Sequence, residues 1–248
     1  MKKTMSVLVN PRMAAEGFRK SPWLSAMVMC LAVSCGLSMF SSLQNVMPGN
    51  SSIFRYFSLF FDLVYLVSAL AAVFFIWQLK SFGSREKFKK AATASMVLGL
   101  ALLLTALIIA VMYYSMYSVL WSLTDEQLNE MEMGKENAEQ LWRMLPFIIL
   151  SLVCSALEGV SFLLFRQVLG RLGDMITGKL PSVGVITACS FVSALTGGMT
   201  LGRMLFAIMA GGGVLQAAFT AFSCLAEAGV YAGMMILCQS TRSALRGE

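Results

Sequence analysis

Apolar residues run along this chain in six long blocks, and polar residues are largely confined to the intervals between them. The blocks cover about 22–43, 54–78, 91–123, 146–165, 184–209 and 213–238. Each is as long as the roughly 20 residues, at ~1.5 Å rise, that crossing a ~30 Å hydrocarbon layer requires. Backbone N–H and C=O groups in lipid must find partners inside their own segment, so each block is expected to be a helix. The pattern predicts an all-α fold, a polytopic bundle of six transmembrane helices making a single domain over 22–248. The first block is too long for the apolar core of a cleaved signal and is followed by five similar ones, so it reads as a retained span.

Ahead of the first block lies a basic segment, 1–21. Asn10 can cap a helix there, and Pro11 suits a first turn, where its missing N–H costs nothing. Residues 12–20 then read as a short helix at the membrane interface, with Met13 and Phe18 toward lipid.

Composition strengthens the membrane assignment. Hydrophobic residues make up 58% of the chain and charged ones only 13%, and the mean hydropathy is +0.74. A soluble domain with so little charge would lack polar surface. The net charge of +6 is placed to report orientation and attraction to anionic headgroups, and no nucleic-acid partner is expected. Lys2, Lys3, Arg12, Arg19 and Lys20 precede the first span, and Lys80, Arg85, Lys87, Lys89 and Lys90 lie between spans two and three. Arg166, Arg171 and Lys179 follow span four, and Arg242 and Arg246 close the chain, so fifteen of nineteen basic residues fall on one side. The positive-inside rule makes that side cytoplasmic, with both termini there. Trp23, Trp77, Trp121 and Trp142 each stand at a span end, where an indole finds the headgroup layer.

The interval 124–143 is the one sizeable outer element. Thr124 and Gln127 have capping-box spacing, and six acids stand there against Lys135 and Arg143. Such a run reads as a solvated face that also obeys topology. All six cysteines fall inside spans, without C-x-x-C spacing, and read as small packing residues.

Four ionisable residues sit where lipid should exclude them: Asp62, Glu158, Arg203 and Glu227, in spans two, four, five and six. A charge there costs a few kcal/mol or more, so it is expected to face the bundle interior with a partner. Counted from the outer ends at ~1.5 Å per residue, Asp62 and Arg203 lie about 12 and 10 Å deep, Glu158 and Glu227 about 18 and 21 Å. This predicts an Asp62–Arg203 ion pair and a separate Glu158–Glu227 pair near the midplane, where two bare charges are implausible and at least one carboxyl should hold a proton. Ser151, Cys154 and Ser155 precede Glu158 at offsets of seven, four and three, and Thr220, Ser223 and Cys224 precede Glu227 likewise. Each glutamate therefore extends a stripe of small polar side chains on one helical face. The stripes read first as close-packing surfaces, with the glutamates hydrogen-bonding a neighbouring helix. The competing reading is a shared proton or cation site for transport. Gly198-x-x-x-Gly202 and Gly229-x-x-x-Gly233 add to the packing reading, while Gly197-Gly198 suggests a break in span five.

No histidine occurs anywhere, which excludes H-E-x-x-H sites, Ser-His-Asp triads and Cys-His pairs. No phosphate-binding glycine loop follows a strand, so no nucleotide, cofactor or metal site is expected, and the chain is not expected to be an enzyme. The run Arg19-Lys20-Ser21-Pro22-Trp23-Leu24, six spans and a basic second connector resemble a group of uncharacterised six-span bacterial membrane proteins. The span count is also similar to that of ABC permeases, although the larger outer connector here follows span three instead of span five. The first resemblance implies a multi-pass protein of a bacterial cytoplasmic membrane. Its expected role is a structural or assembly subunit working with a membrane-protein partner or its own copy, the alternative being a small transporter or ABC-type permease subunit using midplane carboxylates.

Overall fold

A computed structural model describes residues 11–45, 53–81, 83–122, 135–179, 183–209 and 214–246. Seven helices account for nearly all of them: α1 (Pro11–Lys20), α2 (Pro22–Asn45), α3 (Ile53–Ser81), α4 (Arg85–Ser122), α5 (Lys135–Ile176), α6 (Val183–Met209) and α7 (Val214–Arg246). No strand occurs among the described residues, and α2 to α7 are each long and apolar enough to cross a membrane. The acidic residues 123–134, with the Thr124–Gln127 turn, and the α2–α3 connector lie outside the described residues.

The six long helices form a closed ring. Each packs on its neighbour in sequence, and α7 returns to pack on α2. Contacts at the ends show that the helices alternate in direction. At one end Lys80, closing α3, donates to Ser25 of α2, and Arg85, opening α4, pairs with Asp174 near the end of α5 at 2.9 Å. At the other end Trp142 of α5 packs on Tyr117 and Trp121 of α4, with ring centroids 5.2 and 5.7 Å apart. The basic connectors thus share one end, hereafter the basic end.

The apolar blocks understate three helices. α5 has 42 residues and α4 has 38; at ~1.5 Å per residue these reach about 63 and 57 Å, near twice the hydrocarbon layer. Charged residues cut the apolar block of α5 at Arg166, yet the helix continues to Ile176, because Leu169, Leu172 and Met175 recur on one face and are fully buried. α4 supplies Phe88 to the same contact, where a Cβ on Gly173 would stand 3.0 Å from the Phe88 Cβ. α7 likewise runs past Cys238 to Arg246.

α1 is described from Pro11, with Asn10 outside the described residues, and it packs chiefly on α5 and α7 at the basic end. Met13 is exposed (71%), but Phe18 is buried (3%), contrary to the expectation that it faces lipid. Its ring lies 6.2 Å from that of Phe165. The basic ends of α5 and α7 offer it apolar protein surface, and burial there is worth roughly 1.5–3 kcal/mol for a large apolar side chain.

Two close crossings tie the ring. Gly99 of α4 and Gly159 of α5 face each other so tightly that a Cβ on either would lie 2.8–2.9 Å from the other's carbonyl oxygen. The Ser95 hydroxyl donates to the Phe162 carbonyl at 2.8 Å along the same seam. At the second crossing, Cβ atoms on Gly229 and Gly233 of α7 would meet Cys30 Sγ and Met27 Cβ of α2, each at 2.7 Å. That glycine pair is a packing surface. Gly198 and Gly202 have open space beside them, and α6 runs unbroken through Gly197-Gly198, so neither the second glycine pair nor the expected break holds. All six cysteines are free, and five are buried.

Candidate functional site

Arg203 of α6 stands between two neighbours that each bring a glutamate. Its guanidinium forms an ion pair with Glu227 of α7 through Nη2, and its Nη1 lies 4.0 Å from Glu158 Oε1 of α5. Ser223, one turn before Glu227, donates its hydroxyl to Glu227 Oε1 at 3.5 Å, and Cys224 Sγ lies 4.0 Å from Arg203 Nη2. The side chains of Arg203 and Glu227 are each 18% exposed and that of Glu158 is 10% exposed.

The expected partner of Arg203 was Asp62. Among the described residues its ion pairs are with Glu227 and Glu158 instead, and α3, which carries Asp62, does not pack on α6. Depth counted along the helix axis separated Arg203 from the glutamates, because it ignored where the side chains point. Helical side chains lean toward their own N-terminus. α6 runs away from the basic end, so Arg203 leans back toward it. α5 and α7 run the other way, so Glu158 and Glu227 lean to meet it. Three residues counted at two depths therefore share one level.

The glutamate stripes predicted before Glu158 and Glu227 hold in part. Cys154 and Cys224 are buried, and Ser223 and Cys224 touch the ionic group. The sequence reading missed the matching stripe on α6. Ser193, Thr196 and Thr200 are buried with their polar atoms inward, ten, seven and three residues before Arg203, which is one helical face. Thr196 Oγ1 lies 2.9 Å from the Ser161 hydroxyl of α5, and Ser193 Oγ lies 3.9 Å from Met234 Sδ of α7. The stripe's offsets of three, seven and ten residues before an intramembrane charge are the signal in the sequence that marks it.

Around the ionic group the walls are aromatic as well as polar. Tyr231, one turn beyond Glu227, is buried with its ring edge-on to Phe162 at 6.2 Å. Glu158 Oε1 is fully buried and has no hydrogen-bond partner. Two carboxyls against one guanidinium are neutral as a set only when one proton or one cation is added, and a net buried charge in hydrocarbon is costly.

The ion pair and its polar seam make no cluster of metal-ligating residues, and none occurs among the described residues. No family model matches the chain, and no curated protein or solved structure is significantly similar to it.

Proposed function

We propose that this is a non-enzymatic multi-pass protein of a bacterial cytoplasmic membrane, acting as a structural or assembly subunit beside a membrane-protein partner or its own copy. The observation that carries this reading is the position of Arg203 between Glu158 and Glu227. Each charged group faces a helix neighbour, so the set works as a clamp on α5, α6 and α7. Polar groups joining helices inside a bilayer are worth about 0.6–2 kcal/mol each, which favours one arrangement of the ring without driving chemistry.

A second reading, a small transporter or permease subunit, is favoured by Glu158 Oε1, which is buried and accepts no hydrogen bond. A carboxyl that must gain and lose a proton or cation is the minimum a coupled carrier needs. Flux in proteoliposomes separates the two. Under the structural reading, neither an imposed pH gradient nor a cation gradient is dissipated faster than in empty vesicles, and Glu158→Gln folds and copurifies with the same partners. Gradient-driven flux that Glu158→Gln abolishes while leaving the fold intact would replace the structural reading with the transport one.

Both termini are placed in the cytoplasm on the distribution of Lys and Arg. Ser84, exposed between α3 and α4 at the basic end, tests that orientation. A Ser84→Cys variant in intact cells should resist a membrane-impermeant maleimide until the membrane is opened. Ready labelling of intact cells, above that of the parent protein, would invert the topology.

A further inference from the structure

Where α1 lies against the basic end, a cavity of about 410 Å³ opens among Arg12, Ala15, Glu16, Arg19, Gly83 and Phe88. Its arginines are held differently. Arg12 donates from Nε to the Ile176 carbonyl at the end of α5, at 3.1 Å. Arg19 makes no hydrogen bond or ion pair with any described residue, and its Nε is buried without an acceptor. The Gly83 backbone packs against one side of its fork, so that a Cβ there would stand 3.1 Å from Arg19 Cδ and 3.4 Å from Nε. Arg19 thus lines the cavity as a cation with no acceptor among the described residues, and the accessible part of its guanidinium is open to an anion there.

We propose that this cavity binds a phosphate group, with Arg19 as the principal ligand and Arg12 as the second. Arginine's planar fork matches a phosphate's oxygens two at a time. The charge balance agrees. The one acid on the wall, Glu16, has its carboxylate 3.7 Å from exposed Lys20, and the nearby Arg85 and Asp174 neutralise each other at 2.9 Å. The cavity therefore keeps a positive surplus. Its place on the molecule fits a headgroup: α1 exposes Met13 on its outer side, and half-exposed Trp23 opens the next helix, so both mark an interfacial level. The phosphate of an anionic phospholipid and a free phosphate or phosphate ester share this chemistry. The site is separate from the Arg203 clamp, and the two stand or fall independently.

Native mass spectrometry of the full chain in detergent tests the site with three probes: phosphatidylglycerol, phosphatidylcholine and inorganic phosphate. Phosphatidylglycerol should be retained in preference to phosphatidylcholine, and Arg19→Gln should weaken that retention by about tenfold, as the loss of one or two charge-assisted bonds implies. Arg19→Lys should fall between, since it keeps charge but loses the fork, and exposed Lys179→Gln should change nothing. Gly83→Val displaces the fork without altering charge and should resemble Arg19→Gln; it carries the test if Arg19→Gln does not fold. Competition by millimolar inorganic phosphate, itself dependent on Arg19, would assign the site to a soluble phosphate compound. Lipid retention untouched by phosphate would assign it to a headgroup. Equal binding of all three probes by parent, Arg19→Gln and Gly83→Val would overturn the proposal.

Discussion

Arg203→Met is expected to lose most of the folded protein. The substitution leaves Glu158 and Glu227 buried together with no cation between them, and breaking a buried pair on one side costs on the order of 3–5 kcal/mol. Against a typical stability of about 5–15 kcal/mol, that is enough to deplete the native state in detergent. Removing the acids as well should undo the damage. The triple variant Arg203→Met, Glu227→Met, Glu158→Gln replaces the clamp by apolar contacts and one neutral amide, and should return to within about 1–2 kcal/mol of the parent, because the lone charges and not the lost attraction are what destabilise. Unfolding of each purified variant in mixed micelles, followed by helical circular dichroism, measures the difference. A single variant as stable as the parent, or a triple variant less stable than the single, would show that the guanidinium does not hold these carboxyls.

Gly159→Ala should be the second most damaging single change. Its new Cβ would lie 2.6 Å from Leu103 Cγ and 2.9 Å from the Gly99 carbonyl oxygen. The leucine can turn aside, but a backbone oxygen moves only if α4 and α5 separate. Overpacking of this kind costs about 1–3 kcal/mol, and Gly99→Ala should cost a similar amount for the reciprocal reason. Gly198→Ala is the matched control: nothing stands within 4 Å of its Cβ, and relieving a glycine inside a helix gains up to about 1 kcal/mol. Thermal melts ordered Gly198→Ala at or above parent, then Gly99→Ala and Gly159→Ala well below, would bear out the crossing. A reversed order would mean that α4 and α5 do not meet at these glycines.

What lipid demands was legible in the sequence, and what helices do to each other was only partly so. A ~30 Å apolar layer with no water forces long apolar helices, so six spans follow from hydropathy alone. Nothing comparable marks the extension of α5 past Arg166. There the signal is a stripe of Leu169, Leu172 and Met175 among charges, the signature of a soluble helix. Phe18 illustrates the same boundary. On an isolated interfacial helix it belongs in lipid, but the basic ends of α5 and α7 offer it a protein surface. Of the glycines, Gly229 and Gly233 announce themselves by spacing, whereas Gly99 and Gly159 are single residues on separate helices whose pairing exists only after the ring closes. The ionic group falls between these cases. All three of its members stood out as charges in apolar blocks, and the direction in which each side chain leans was implicit in the alternating topology. Pairing them by axial depth alone sent Arg203 to Asp62.

The most direct measurement is of the distance between Arg203 and its two acids in a bilayer. Rotational-echo double-resonance NMR on protein labelled with ¹⁵N in arginine side chains and ¹³C at glutamate carboxyls reads such proximities. The expected result is dephasing of a guanidinium signal that Arg203→Met removes, that Glu227→Gln sharply reduces, and that Glu158→Gln reduces by a smaller amount, in keeping with its 4.0 Å separation. A guanidinium signal assigned to Arg203 whose dephasing is the same in the parent and in both glutamine variants would contradict the clamp on α5, α6 and α7.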